Sequence, residues 1–152
     1  LSRPHDEDGN VNNAGISDGF ARHTRVSPLT EPWEPIYARR TDDWVQLALR
    51  LATPHTNSRG MVHGGLIAAL ADNAMGLSCG VKLGGARLVT VSLSIDYLGT
   101  AKIGQWLAVE PEVIRTGKTL CFAQCLVRAD GEPIARGNAT FRVVPTEKAH
   151  RS

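Results

Sequence analysis

The sequence predicts an α+β fold in which an antiparallel β-sheet wraps around one long central helix. Three observations lead there. From Leu66 to Val81 the chain is apolar on almost every side, and Asp72 is the only acidic residue in that run; a helix without a polar face has to be buried. The segments before and after it alternate apolar and polar residues, as strands with one buried face do. Short links join the later segments, which places neighbours antiparallel.

At 152 residues a single domain is the default. Hydrophobic residues make up 42% and charged residues 21% of the chain, enough for a real core. The net charge is only +2 and the Lys and Arg residues are scattered, which argues against nucleic acid as the main partner. Cys79, Cys121 and Cys125 show neither metal-site spacing nor a disulfide framework and are expected as reduced, buried thiols. With no basic-plus-apolar leader after Leu1, a cytoplasmic location is expected.

In chain order, residues 1–19 (His5, Asp6, Glu7, Asp8 and their neighbours) have almost nothing to bury and read as a flexible tail. Residues 20–145 form the domain, and 146–152 a C-terminal tail. Phe20 to Pro35 is expected to lie over the domain as an extended or short helical segment anchored by Trp33. Ile36–Arg40 is a short strand. Trp44–Leu51 is a firmer one, with Val45, Leu47, Leu49 and Leu51 on one face.

Pro54 ends that strand and leads into a glycine-rich turn and the helix. Leu66–Val81 is short for a membrane span and is interrupted by Asp72 and Asn73, so a core helix and no membrane partner are expected. Lys82-Leu83-Gly84-Gly85 breaks the helix. In the next strand Val89, Val91, Leu93, Ile95 and Tyr97 alternate with Thr90, Ser92, Ser94 and Asp96. Gln105–Arg115 follows, with Pro111 implying an edge or a bulge. Thr119–Arg128 and Ile134–Val144 are joined through Asp130-Gly131, a strong hairpin signal.

The turn His55-Thr56-Asn57-Ser58-Arg59-Gly60-Met61-Val62-His63-Gly64-Gly65 is the chemically suggestive stretch. Its glycines permit close approach, and the first N–H groups of the helix carry partial positive charge and lack intrahelical partners. Together they suit an oxygen that gains negative charge, and Asn57 could add an amide donor. Asp72 is the other half of the problem, because a carboxylate in apolar surroundings needs a partner or a task. It lies nine residues beyond His63, about 13.5 Å along a helix. One substrate carbonyl cannot sit within reach of both. If both act on one atom, the second must come from another copy of the chain, with two helices antiparallel about a two-fold axis.

The run His55-x-Asn57-x-x-Gly60-x-x-His63-Gly64-Gly65 followed by Asp72 resembles the hotdog-fold acyl-CoA thioesterases. The likeness is to the PaaI-like group of the 4-hydroxybenzoyl-CoA thioesterase superfamily. It continues through Val89-Thr90-Val91, Tyr97-Leu98, Ala101-Lys102-Ile103-Gly104 and Gly117-Lys118-Thr119-Leu120, covering roughly residues 44–143.

The resemblance implies that the Gly64 N–H, helped by Asn57, binds the thioester oxygen, while Asp72 of the partner chain acts as base or nucleophile. It implies that Thr90 holds the attacking water and that His63 shapes the turn. Arg115, Lys118, Arg136 and Arg142 could contact coenzyme A phosphates, and Lys118, in the family-like Gly-Lys-Thr turn, and Arg115 are the candidates carried forward. The implied assembly is a homodimer that pairs into a tetramer. Coenzyme A is part of the substrate, so no cofactor is expected. No metal is expected either, because His55, His63 and Cys79 lack four-ligand spacing. The rival readings are a non-catalytic acyl-CoA-binding or sensing module and a hotdog hydratase or dehydratase.

Overall fold

The computed structural model describes residues 15–145. Residues 1–14 and 146–152, which make up most of the expected N-terminal tail and all of the C-terminal one, lie outside the described residues. The elements are β1 (Ala21–Arg22), β2 (Tyr37–Arg40), β3 (Val45–Arg50), α1 (Gly64–Lys82), β4 (Leu88–Tyr97), β5 (Trp106–Thr116), β6 (Leu120–Ala129) and β7 (Glu132–Val143). They form one antiparallel sheet in the order β1-β2-β3-β5-β6-β7-β4.

The strands match the alternating segments of the sequence within a few residues, and the two-residue β1 is the addition. Asp130 and Gly131, at φ 47° and 85°, close the β6–β7 hairpin; positive φ at both central residues is what a tight type I′ turn requires. Pro111 sits in β5, a central strand, but β3 pairs only as far as Val109. At Pro111 the sheet has a local edge, so no ladder bond is lost to the missing N–H.

α1 lies on one face of the sheet and buries Leu66, Ile67, Leu70, Ala71, Ala74, Met75, Ser78 and Cys79. Its 19 residues are long and apolar enough to cross a membrane by length and composition alone, contrary to the expectation that it is too short for a span. Packing against the sheet is what marks a core helix. The expectation of burial all round is also revised. Ala68, Ala69, Asp72, Asn73, Gly76, Leu77 and Gly80 form a second face that is only half-buried, because the sheet of one chain covers one side of a helix.

A smaller cluster packs on the outside of the sheet. Phe20, Ala48, Trp106 and Ala108 are buried there with Ile16 and Tyr37 beside them, and the Phe20 and Trp106 rings meet edge to face at 5.5 Å. The Val45–Leu49 and Trp106–Val109 segments are buried on both faces, so their outer side needs a cover. The N-terminal segment supplies it. Ile16 and Ser17 therefore pack although they fall in the stretch expected to be a tail, and the Gly15 carbonyl accepts a hydrogen bond from Arg50 Nη2.

Candidate active site

The glycine turn is built by its own polar groups. Asn57 Oδ1 accepts from the N–H groups of Arg59 (2.9 Å) and Met61 (3.2 Å), and Gly60 takes the left-handed φ of 76° that the turn demands. With its carbonyl oxygen so used, the group Asn57 has to offer a ligand is its NH2. The turn is tied to the link between β4 and β5 at its far end, where the Val62 N–H donates to Ala101 O at 2.8 Å. His55 is buried, accepting from Ala52 N–H at Nδ1 and donating from Nε2 to Trp33 O, both at 2.9 Å. Both ring nitrogens are occupied, so this histidine braces the turn.

His63 is the N-cap of α1. Its Nδ1 accepts from Gly65 N–H at 2.8 Å, and its carbonyl accepts from Leu66 and Ile67 N–H. Among the described residues no acceptor meets the N–H of Gly64. The Tyr97 hydroxyl donates to Gly64 O at 2.6 Å. The ring approaches so closely that a Cβ on Gly64 would lie 3.1 Å from Tyr97 Cζ, inside ordinary carbon–carbon contact. Gly64 is thus a glycine because of a close approach.

Asp72 is half-buried on the uncovered face of α1, and the Thr90 hydroxyl donates to its Oδ1 at 2.7 Å. Simple alternation would place Thr90 on the outer face with Ser92 and Ser94. The structure corrects that. A bulge between Thr90 and Ser92 adds Val91 to β4, so the residues on either side of it keep different phases. Thr90 lies opposite the buried Phe141, and Leu93 opposite the buried Ala139, while Ser92 lies opposite Thr140. Directly opposed residues share a face, and Thr90 therefore faces the helix.

Asp72 and Thr90 border a cavity of about 720 Å³ lined also by Gly76, Leu77, Phe141 and four basic residues, His23, Arg25, Arg40 and Arg87. Sequence reasoning missed those four. They come from the segment before β2, the end of β2 and the link into β4, and no spacing signal connects them. Met75 is buried in the core, as are the three cysteines. Burial pushes the Cys125 thiol up to about 11 and raises that of Cys79 further.

Gly64 and Asp72 are not brought together within the chain. Eight residues of one helix separate them by about 12 Å. Arg115 lies opposite Phe122 after a second bulge in β5, on the outer face away from α1, and Lys118 is exposed in the β5–β6 turn. Neither lines the cavity. Among the described residues no cluster of three or more His, Cys, Asp or Glu has the geometry to hold a metal ion.

One apolar helix lying on an antiparallel sheet, opened by a glycine turn, is the hotdog fold. The family model of the thioesterase superfamily matches residues 59–135, a span that takes in the end of the turn, Asp72 and Thr90. The chain belongs to the thioesterase superfamily, and its chemistry is thioester hydrolysis.

Among its relatives is a Pseudomonas aeruginosa protein described provisionally as an esterase, 30% identical over 130 residues that make up 84% of this chain and 97% of that one. Human acyl-coenzyme A thioesterase 13 is 38% identical over 96 residues, 60% of this chain and 67% of the human protein. In three dimensions the chain is similar to zebra fish thioesterase superfamily member 2. That match has a TM-score of 0.72 and 28% identity, and covers 78% of this chain and 88% of that one.

Proposed function

We propose that this thioester hydrolase acts on acyl-coenzyme A and that each active site is shared between two copies of the chain. The observation that carries the reading is the Asp72–Thr90 pair, a carboxylate held at 2.7 Å by a hydroxyl at the mouth of a cavity. A relative named for acyl-coenzyme A hydrolysis supports the choice of thioester.

The unpartnered Gly64 N–H and the Asn57 NH2 of one subunit's turn bind the thioester oxygen of the substrate. Asp72 of the other subunit deprotonates water, or attacks the carbonyl to give a mixed anhydride that water then opens. Either way a C–O bond forms to the acyl carbon, the C–S bond breaks, and the thiolate of coenzyme A leaves to be protonated. Thr90 orients the carboxylate and the incoming water, and His63 fixes the turn. Lys118 and Arg115, exposed outside the cavity, are the residues proposed to meet coenzyme A phosphates.

The 12 Å between Gly64 and Asp72 supports the dimer, as does β4. It is an edge strand with Val89, Val91 and Leu93 exposed, and such an edge invites pairing. Joining two β4 edges antiparallel sets the small-residue faces of the two α1 helices beside each other. Two such dimers make the tetramer that the family likeness implies.

The test is Asp72→Asn, assayed by release of free thiol from acyl-coenzyme A. Hydrolysis is expected to fall by about 10²–10⁴, the range for a positioned base, while size-exclusion chromatography shows an unchanged oligomer. Turnover at the wild-type rate overturns the assignment. Single turnover in ¹⁸O-labelled water separates base from nucleophile, since only a nucleophilic Asp72 takes up the label.

A further inference from the structure

The cavity beside Asp72 has a wall that an ordinary alkyl or aryl acyl group does not call for. Ile36 and Phe141 give it an apolar side, while His23, Arg25, Arg40 and Arg87 give it a cationic one. Asp72 is the only carboxylate in the lining among the described residues. Among the described residues, no acid lies within ion-pair distance of Arg25, Arg40 or Arg87. The acid beside this wall is Glu34, whose Oε1 accepts from Arg22 at 3.3 Å while its buried Oε2 has no partner among the described residues.

The cations also act on one another. His23 is held below the usual imidazole range, chiefly by burial; Glu34 opposes this, and Arg25 and Arg40 add smaller effects in the same direction as burial. Guanidinium groups gathered without counter-ions repel one another, and a carboxylate that accepts hydrogen bonds from them relieves that repulsion. A volume of about 720 Å³ is ample for an acyl chain.

Building on the reading that Asp72 works at the thioester carbonyl, we propose that this cavity receives the acyl group and that the group ends in a carboxylate. The substrates are then coenzyme A monothioesters of dicarboxylic acids, with Arg40 and Arg87 binding the distal carboxylate. The cavity adjoins Asp72 directly, whereas the phosphates of coenzyme A are removed from the sulfur by the whole pantetheine arm. Cations that line the same cavity as Asp72 suit the acyl side of the reacting bond.

The experiment compares kcat/KM for glutaryl- and adipyl-coenzyme A with pentanoyl- and hexanoyl-coenzyme A, chains of equal carbon number, in the wild type, Arg40→Gln and Arg87→Gln. The wild type is expected to favour the carboxylate-ended chains at least tenfold. Each variant should cut that ratio by about tenfold, as loss of a charge-assisted hydrogen bond does. The ratio is internal to each preparation, so partial misfolding cancels.

Equal rates for the paired substrates, or a ratio that both variants leave alone, overturn the proposal. So does an equal loss on every coenzyme A ester with none on the matching N-acetylcysteamine thioesters, which lack phosphates; that result assigns the cations to coenzyme A. Hydrolysis of the alkyl substrates alone refutes only this inference. No hydrolysis of any acyl-coenzyme A refutes the proposed function and this inference with it.

Discussion

Replacing Gly64 by alanine separates what this turn does for stability from what it does for catalysis. The added Cβ would stand 3.1 Å from Tyr97 Cζ and 3.2 Å from its Cε1 and hydroxyl oxygen. Carbon contacts relax at about 3.5–4.0 Å, so the ring must withdraw by a few tenths of an ångström. Tyr97 is 52% exposed and free to do so, but withdrawal sacrifices its 2.6 Å hydrogen bond to Gly64 O. That loss is about 1 kcal/mol. Against it, alanine is better than glycine at the start of a helix by up to about 1 kcal/mol. The two nearly cancel, and Tm should stay within about 4 °C of the wild type.

Activity should not stay. The Gly64 N–H is the amide assigned to the thioester oxygen, and misplacing one such donor costs about 10²–10³ in kcat. Calorimetry and a thiol-release assay on the same sample measure both quantities. In a Tyr97→Ala background the clash is absent, so Gly64→Ala should there be neutral or slightly stabilising. Full turnover by a stably folded Gly64→Ala protein would show that the withdrawal of Tyr97 leaves the amide in place, and would refute the loss expected here.

Two further outcomes follow from the geometry. Thr90→Val removes the 2.7 Å bond to Asp72 while keeping the shape of the side chain; kcat should fall about tenfold with little change in Tm, and an unchanged kcat would reduce Thr90 to a strand-forming residue. The buried thiols should ignore a disulfide reagent at pH 8. Because burial raises the Cys125 pKa to about 11, its thiolate fraction at that pH is about one in a thousand. Reactivity should rise as pH climbs toward 11, and all three cysteines should react at once in denaturant. Rapid labelling of the native protein at pH 8 would contradict their burial.

Much of the fold was legible because it is written in near-neighbour patterns. The helix from Leu66 onward, the period-two strands and the Asp130-Gly131 hairpin each depend on residues a few positions apart, and each appears where the pattern places it. The turn from His55 to Gly65 was legible for the same reason, since its glycines and Asn57 act on backbone only two to four residues away.

Where the pattern failed, one extra residue or one long excursion was responsible. Val91 shifts the phase of β4 and carries Thr90 to the helix side, a bulge that alternation cannot register because it treats every residue as one step. Trp106 and Ala48 face outward yet are buried, because Phe20 arrives to cover them from elsewhere in the chain.

By itself, then, the sequence determined which elements form, in what order, and which of them carries the glycine turn and the lone carboxylate, because local sterics and hydrophobic period are enough for that. Only the tertiary structure decided that Thr90 meets Asp72, that α1 keeps a half-covered face, and that His23, Arg25, Arg40 and Arg87 share one cavity. Such meetings depend on the path of the whole chain, and no spacing between residues 23, 40, 72 and 87 encodes that path.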